Sequence, residues 1–473
     1  MTDTPPAGDG FSLARTHLIG IGGAGMSAIA RLLVDRDLPV SGSDAKQSAV
    51  LTGLAARGVR TAVGHRAENL ELIDGGPTAV VSSTAVHPDN PELVAARERG
   101  IPTVRRATAL AALMTGYRSV CVAGTHGKTS TTSMLTVALQ YAGADPTFAI
   151  GGELNESGTG AHLGTGDVFV AEADESDGSF LAFSPHGAIV TNIEPDHLDH
   201  HGTPEAYAAV FAGFVDRIRP GGFLVACVDD PGVRNLLARL GGAGTPRLIG
   251  YGTAPIADVR LLDVVPHGHG SQSTVVLADG SRVPLVLDAP GAHMARNATA
   301  VLAAGVELGF DATAVAAGLA AFTGVRRRFE YKGRAGGVVL YDDYAHHPTE
   351  VAAQLAAARG LVGDGRLVVV FQPHLYSRTQ MFATGFGEAL ALADLVVQLD
   401  VYGAREQPLP GVSGELIVAA VPAGTAQVVY QPSFAAVAST VAALVRPGDL
   451  VITMGAGDVT MLGPEILRLL DAP

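Results

Sequence analysis

Gly124-Thr125-His126-Gly127-Lys128-Thr129-Ser130 is the stretch from which the rest of the chain can be read. Before it runs Ser119-Val120-Cys121-Val122-Ala123, a short valine-rich segment that reads as a buried strand. After it, Met134, Leu135, Ala138, Leu139 and Tyr141 recur at helical spacing. Strand, glycine-bearing turn, Lys-Thr and helix form the arrangement that holds a triphosphate. Glycines let backbone N–H groups approach the phosphates, and the helix N-terminus adds partial positive charge. Lys128 would reach the β and γ oxygens, and the Thr129 hydroxyl would ligate Mg²⁺. The usual loop is G-x-x-x-x-G-K-[ST]; here Gly124 lies only three residues before Gly127. So short a match also occurs in ordinary strand-to-helix turns, and the rest of the chain has to support it.

A chain of 473 residues exceeds what one core usually supports, so two or three domains are expected. Hydrophobic residues make up 47% and charged ones 16%, a globular and not a disordered composition. Net charge is −14, and no Lys/Arg cluster supplies the electrostatic footprint it would need, so nucleic acid is excluded as a partner. Cys121 and Cys227 both sit in apolar strand-like runs and read as small buried hydrophobes of a reducing compartment. No run approaches about 18 apolar residues, and Met1 to Gly10 is acidic and rich in Pro and Gly. The expectation is a cytoplasmic protein with no membrane insertion and a disordered lead-in over residues 1–12.

His17-Leu18-Ile19 leads into Gly20-Ile21-Gly22-Gly23-Ala24-Gly25-Met26-Ser27 and then a helical pattern to about Arg36. Gly20, Gly22 and Gly25 satisfy G-x-G-x-x-G, and Asp44 follows a second short strand at a distance suited to a ribose hydroxyl. Any unit that sets a pyrophosphate on a helix N-terminus shows this pattern, so it does not single out NAD. The strand Thr78 to Val81 delivers Ser82-Ser83-Thr84-Ala85, whose hydroxyls either face a ligand or form a turn.

Downstream of the phosphate loop, Phe169-Val170-Ala171 runs out into Glu172-Ala173-Asp174-Glu175-Ser176-Asp177. Four acids in six residues at a strand end mark the place where such proteins hold Mg²⁺. A further strand, Ala188 to Thr191, ends in Asn192-Ile193-Glu194-Pro195-Asp196-His197-Leu198-Asp199-His200-His201. Zinc is conceivable there, but a second Mg²⁺ site sharing one histidine is preferred, with His200 and His201 as loop surface. Residues 220–290 read as an irregular β-rich stretch that ends the sheet, with an exposed hairpin tip at His267-Gly268-His269-Gly270. Arg326-Arg327-Arg328 marks a hinge, and beside a triphosphate one arginine would clamp the anion. Beyond it, strands ending near Tyr341, Phe371, Leu399 and Met454 each deliver polar, Gly-rich residues, as in a doubly wound sheet with one functional edge.

Ten segments in order carry a family resemblance: HLIGIGGAGMS (17–27), AGTHGKTST (123–131), EADESD (172–177), TNIEPDHLD (191–199), GAHMARNA (291–298), RRRFE (326–330), YDDYAHHPTE (341–350), FQPHLYSRT (371–379), DVYGAREQP (400–408) and TMGAGDV (453–459). From about residue 13 to near the end the chain resembles the Mur ligases of peptidoglycan synthesis, and within them the branch that adds the first amino acid. The resemblance implies an α/β fold of three domains. These are an N-terminal Rossmann-like domain (1–115), a central P-loop ATPase-type domain (116–328) and a C-terminal Rossmann-like doubly wound domain (329–473). It implies ATP and Mg²⁺ (two ions) as cofactors, and UDP-N-acetylmuramate and L-alanine as substrates joined through an acyl phosphate. Gly22, Gly23, Ala24, Gly25, Met26 and Ser27 would bind the UDP moiety, with Asp44, Ser82 and Ser83 nearby. Gly124, Thr125, His126, Gly127, Lys128, Thr129 and Ser130 would hold the ATP phosphates, with His293 and Asn297 on the adenine side and Arg327 on a phosphate. Thr129, Glu172 and His197 look like the metal ligands. Tyr344, His346 and Arg378 look like the alanine-binding elements, His346 doubling as the base for the incoming ammonium and, with Lys128 and Arg378, serving catalysis.

Two departures matter. Later ligases of the family carry a carbamylated lysine about fifteen residues after the D-H-[LM]-D aspartate, where this chain has Val210 or Phe211, and no lysine lies between Lys128 and Lys332. That favours the first ligase. Leu375 stands where many alanine-adding members have arginine, which leaves carboxylate recognition to Arg378. Three rival readings compete: a ligase that recycles a preformed tripeptide, a nicotinamide dehydrogenase, which leaves Lys128 and the acidic cluster unused, and a nucleotide switch, which leaves the third domain unused. The sequence leaves a homo-oligomer open.

Overall fold

The computed structural model describes residues 10–240, 246–404 and 406–471, apart from the Asp199 side chain. Most of the expected lead-in, up to residue 9, and Arg405 of the 400–408 segment lie outside the described residues. The architecture is α/β, with three sheets.

The first sheet contains β1 (Thr16–Ile19), β2 (Val40–Asp44), β3 (Arg60–Val63), β4 (Ala79–Ser82) and β5 (Thr103–Arg105), in the order β3-β2-β1-β4-β5. Every pairing is parallel. Strand order reverses between β1 and β4, which opens a crevice at the carboxyl ends of these two strands. The glycine turn after β1 sits there.

The second sheet holds β6 (Arg118–Ala123), β7 (Thr147–Ala149), β8 (Ala161–His162), β9 (Val168–Glu172), β10 (Gly187–Val190), β11 (Phe223–Cys227), β12 (Arg247–Gly252), β13 (Val259–His267), β14 (Gly270–Val276) and β15 (Arg282–Leu287). Their order is β15-β14-β13-β12-β11-β10-β6-β9-β7-β8. The stretch after residue 220 therefore extends the sheet by five strands, and the His267–Gly270 segment is the turn between β13 and β14, as expected. β6 lies between β10 and β9, parallel to both. Its residues Val120, Cys121, Val122 and Ala123 are fully buried, which explains the continuous apolar run. Both cysteines are buried free thiols.

The third sheet runs β16 (Glu330–Ala335), β17 (Val338–Asp343), β18 (Leu367–Phe371), β19 (Leu395–Gln398), β20 (Gln427–Tyr430) and β21 (Leu450–Met454), in the order β16-β17-β21-β18-β19-β20. Only β16 is antiparallel to its neighbour.

The chain forms two compact units. The first takes in the first sheet and most of the second (residues 1–262, 274–284 and 296–322), and the second contains the third sheet together with parts of β13, β14 and β15 (263–273, 285–295 and 323–473). The grouping of the first two sheets has a packing cause. Met26, Ile29 and Leu110 of the first sheet's helices belong to the same apolar cluster as Phe180, Phe211 and Phe214 beside the second. Within the second unit one cluster, with Val351, Val369 and Phe386, and another, with Val370, Val441 and Ile466, cover opposite faces of the third sheet. No helix among the described residues is long and apolar enough to cross a membrane.

Candidate active site

The phosphate turn follows β6 at the point where neighbouring strands leave in opposite directions, and it opens the helix Lys128–Tyr141. Gly124 has φ 138°, and a Cβ there would lie 2.0 Å from Thr191 Oγ1, so only glycine fits. Gly127 precedes the helix with φ 81°, and Asn297 packs over it, its Nδ2 3.1 Å from where a Cβ would sit. The helix is buried from Thr129 to Leu139 although it is rich in Thr and Ser. Thr132 and Thr136 satisfy their hydroxyls on carbonyls four residues back, at 2.8 and 2.9 Å.

The segment after β10 braces the turn. Thr191 Oγ1 donates to His126 O at 2.6 Å, Asn192 Oδ1 accepts from His126 N at 2.8 Å, and Thr125 N donates to Asn192 O at 3.0 Å. Thr125 Oγ1 accepts from Glu194 N at 2.9 Å and lies 2.9 Å from Tyr207 Oη. The sequence marked this segment only for its histidines and aspartates. Its bracing role arises because β10 pairs alongside β6 in register.

Thr129 and Glu172 come together: Thr129 Oγ1 donates to Glu172 Oε1 at 3.2 Å, and Gly151 N donates to Oε2 at 2.9 Å. A hydroxyl and a carboxylate beside a phosphate turn are the hard oxygen donors that Mg²⁺ selects, so the residues fit that ion. His197 heads the short helix Leu198–His201 with a left-handed backbone, φ 51°, and its Nε2 is 3.5 Å from Asp196 Oδ2. His201 departs from expectation. It is not mere loop surface: its Nε2 lies 3.0 Å from Glu175 O and its ring packs on Tyr207.

Glu175 is a solvent-inaccessible carboxylate, and the acidic stretch 172–177 is accordingly no solvated loop. Both its oxygens stand 2.9 Å from Lys128 Nζ, but only Oε1 is aligned as an acceptor. Nζ also donates to Gly124 O at 2.7 Å and Thr125 O at 3.1 Å. Burial alone would lower the Lys128 pKa, yet Glu175, Asp174 and Glu172 outweigh it and hold the ammonium above its ordinary value. Burial pushes the Glu175 carboxyl up to about 7, against the pull of Lys128. Burial also works against the charge on Asp174, but Lys128, the Ser176 hydrogen bond and Arg106 hold it below the usual carboxylate range.

In the first sheet the glycine turn leads into the helix Ala24–Val34, whose first turn carries no acidic residue and no side-chain cap. Its backbone N–H groups are therefore not shielded by a carboxylate of its own helix. Asp44, at the end of β2, accepts from Gly22 N at 2.9 Å and thus shapes the turn. Ser27 Oγ donates to Ala24 O, and Ser82 ends β4 in a buried position. Arg106 covers Gly25, with Nη1 2.8 Å from where a Cβ would sit, and its Nη2 reaches Asp174 Oδ2 at 3.3 Å. Thr84 Oγ1 donates to Asp177 Oδ2 at 3.0 Å. The glycine turn of the first sheet and the acidic stretch of the second are thus tied to each other within one unit.

Beneath this turn lies a buried network that sequence reading missed. Glu92 Oε2 accepts from Ser43 Oγ at 2.6 Å and lies 3.6 Å from His17 Nε2 and from His65 Nδ1, while Asn69 donates to Oε1. Burial opposes the charge on Glu92, but the nearby His17 ring and the hydrogen bonds from Ser43 and Asn69 outweigh it and lower the pKa.

Within the second unit, His346 Nδ1 lies 3.0 Å from Tyr344 O and 3.5 Å from Glu350 Oε2. Its ring packs edge-on against Tyr344 and against His374. Arg327 lies over the Tyr344 ring at 4.8 Å, and its Nη2 donates to Gly455 O and Gly457 O at 2.7 and 3.0 Å. Arg378 is buried on the helix Tyr376–Leu390. His293 packs on Gly291 at the start of the helix Ala292–Glu307. Leu375, the departure from the arginine pattern, is buried with φ 70°, a strained backbone for a branched side chain. The two aspartates of the 341–350 segment are structural. Asp342 accepts from Thr453 and Thr460 hydroxyls, and Asp343 accepts from Phe329 N and Ala345 N.

The chain matches three family models in succession: the Mur ligase family catalytic domain over residues 15–118, the Mur ligase middle domain over 122–305, and the Mur ligase glutamate ligase domain over 327–457. It is 63% identical over 456 residues to the UDP-N-acetylmuramate–L-alanine ligase of Saccharopolyspora erythraea, covering 96% of this chain and 93% of the relative. With the enzyme of the same name from Mycobacterium sp. identity is 57%, over 99% of this chain and 97% of the relative. Among solved structures, the UDP-N-acetylmuramate–alanine ligase of Thermotoga maritima superposes with a TM-score of 0.80 at 28% identity, covering 96% and 98% of the two chains. A murein peptide ligase from Psychrobacter arcticus gives 0.71 at 25%, covering 97% and 99%. The ordered motifs, the three sheets and the near-full-length identity agree, and the chain belongs to the Mur ligase family, in its UDP-N-acetylmuramate–L-alanine ligase group.

Proposed function

We propose that the chain joins L-alanine to the lactyl carboxylate of UDP-N-acetylmuramate at the expense of ATP, in peptidoglycan precursor synthesis. The observation that carries the chemistry is the meeting of Lys128, Thr129 and Glu172 at the carboxyl end of β6, with the first sheet's glycine turn tied to the adjoining acidic stretch. The name shared by relatives at 53–63% identity carries the substrates.

In the first step the lactyl carboxylate attacks the γ-phosphorus, giving an acyl phosphate and ADP. In the second the alanine amine adds to the acyl carbon, and phosphate leaves through a tetrahedral intermediate. The chain's own groups position and neutralise. Lys128 places its ammonium on the β and γ oxygens. N–H groups of the 124–130 turn cradle the phosphates, and Asn297, over Gly127, orients the nucleoside side together with His293. Gly22 to Ser27 present backbone N–H groups to the UDP diphosphate. Thr129, Glu172 and His197 would hold Mg²⁺, which would supply charge neutralisation for the phosphoryl transfer, and two ions are proposed. Tyr344, His346 and Arg378 take the amino acid, with His346 accepting a proton from its ammonium and Arg327 contacting a phosphate. Domain limits of 1–115, 116–328 and 329–473 go with this reading, supported by the matched spans 15–118, 122–305 and 327–457. The place of action is the cytoplasm. Sedimentation velocity decides between a single chain and a homo-oligomer.

The test is phosphate release from ATP and Mg²⁺ with UDP-N-acetylmuramate, adding amino acids singly. Release that requires both the UDP-sugar and L-alanine is expected. Release with a tripeptide but not alanine would move the reading to a recycling ligase.

A further inference from the structure

Lys128 offers three N–H donors, and all three are engaged: on Gly124 O, on Thr125 O and on Glu175 Oε1. A phosphate oxygen cannot gain the ammonium unless one of these partners yields. The carbonyls are part of the turn itself, whereas Glu175 carries a charge of the same sign as the phosphate.

We propose that Glu175 is a positioning residue that holds Lys128 in place while the turn is empty, and that nucleotide binding breaks this pair and leaves Glu175 to take up one proton. The inference rests on the phosphate-turn reading above.

Geometry carries it. Glu175 has no solvent exposure, and its Oε2 has no hydrogen bond. The groups facing it are Lys128 Nζ, the Tyr207 hydroxyl 3.3 Å from Oε1, His201 Nε2 on its carbonyl, and the neighbouring Asp174. Once the ammonium moves to a phosphate, nothing else in this set neutralises the carboxylate, and Asp174 and the arriving phosphate both repel it. A buried charge without a counter-ion protonates. The group is poised for this, since burial holds it near 7 even with Lys128 beside it. The sign follows: binding takes up a proton, so affinity falls as pH rises above about 7.

The experiment is isothermal titration calorimetry of the full chain with the β,γ-imido analogue of ATP and Mg²⁺, without UDP-sugar, in buffers of different ionisation heat. At about pH 8 only about one wild-type molecule in ten has Glu175 protonated beforehand, so uptake approaching one proton is expected, with affinity falling about tenfold by pH 9. Glu175→Gln is already neutral; it should bind about tenfold tighter at pH 8, without uptake from this site and with a flatter pH profile. The ligand's own titration is common to both proteins and cancels. Wild-type binding without proton uptake would overturn the inference without needing any variant, and so would Glu175→Gln showing wild-type uptake. Failure of the wild type to bind the analogue at all would instead overturn the phosphate-turn reading.

Discussion

The glycine turn after β1 and the glycine turn after β6 both join a buried parallel strand to a helix at the point where their sheet's strand order reverses. They differ in where charge sits. The turn after β6 carries its own cation, Lys128, at the first helical residue, with Glu175, Glu172 and Asp174 arrayed around it. The turn after β1 has no charged residue between Gly20 and Ser27; its charges are Asp44 on Gly22 N, Arg106 across Gly25, and Glu92 buried below Ser43. Ser43 in turn accepts from Gly20 N and Ile21 N through its carbonyl. The same backbone device thus serves two ends. One turn carries its own cation, while the other is neutral and held in shape from outside.

That contrast can be broken, the largest effect first. Lys128→Ala should lower the rate of alanine- and UDP-sugar-dependent phosphate release by about 10³-fold or more, with the fold unchanged by circular dichroism. A near-wild-type rate would mean that the second turn needs no cation of its own. Glu92→Gln should act oppositely, costing about 2–4 kcal/mol of stability at neutral pH in denaturant titrations, with a much smaller effect on turnover. The sign with pH is fixed by its lowered pKa. Its stabilising contribution is full above about 4.5 and is lost as pH falls through the lower folded value, so the gap from wild type should close on acidification. A gap that widened in acid would contradict the network.

Arg106→Ala should raise KM for UDP-N-acetylmuramate about tenfold while leaving KM for ATP near wild type, since its guanidinium lies over Gly25 of the turn proposed to hold the diphosphate. An equal rise in both constants would show that Arg106 merely joins the two sheets. Thr191→Val removes the bond to His126 O and should raise KM for ATP about fivefold, the worth of one hydrogen bond. No change there would mean that Asn192 alone steadies the turn.

Much of this is legible in the sequence. The valine run before Gly124 is a central strand because parallel strands are covered on both faces, and a continuous apolar segment is what that burial demands. Gly124 and Gly127 declare their positive φ through residue type. The acids at 172–177 read as a metal platform, and the fold sets one of them, Glu172, against Thr129. Glu175 could not be separated from its neighbours, because four carboxylates look alike in a string while only one turns inward under Tyr207. In the same way the string does not distinguish His201, which lies on Glu175 O and Tyr207, from His200. Glu92, His17 and His65 lie too far apart along the chain for any spacing rule to pair them.

The sequence by itself determined the local devices and the family: both glycine turns, the Lys-Thr pair, the alternation of strand and helix, and the ten ordered segments. These are set by backbone conformation and short-range spacing, which residue type encodes directly. Tertiary structure alone decided which charges meet. It gave Lys128 to Glu175, Arg106 to Asp174 and Glu92 to Ser43, and it fused the first two sheets around one apolar core. Such pairings depend on strand order and on burial, which shifts a carboxyl's pKa or preserves its charge according to the partners that the fold brings within a few ångströms.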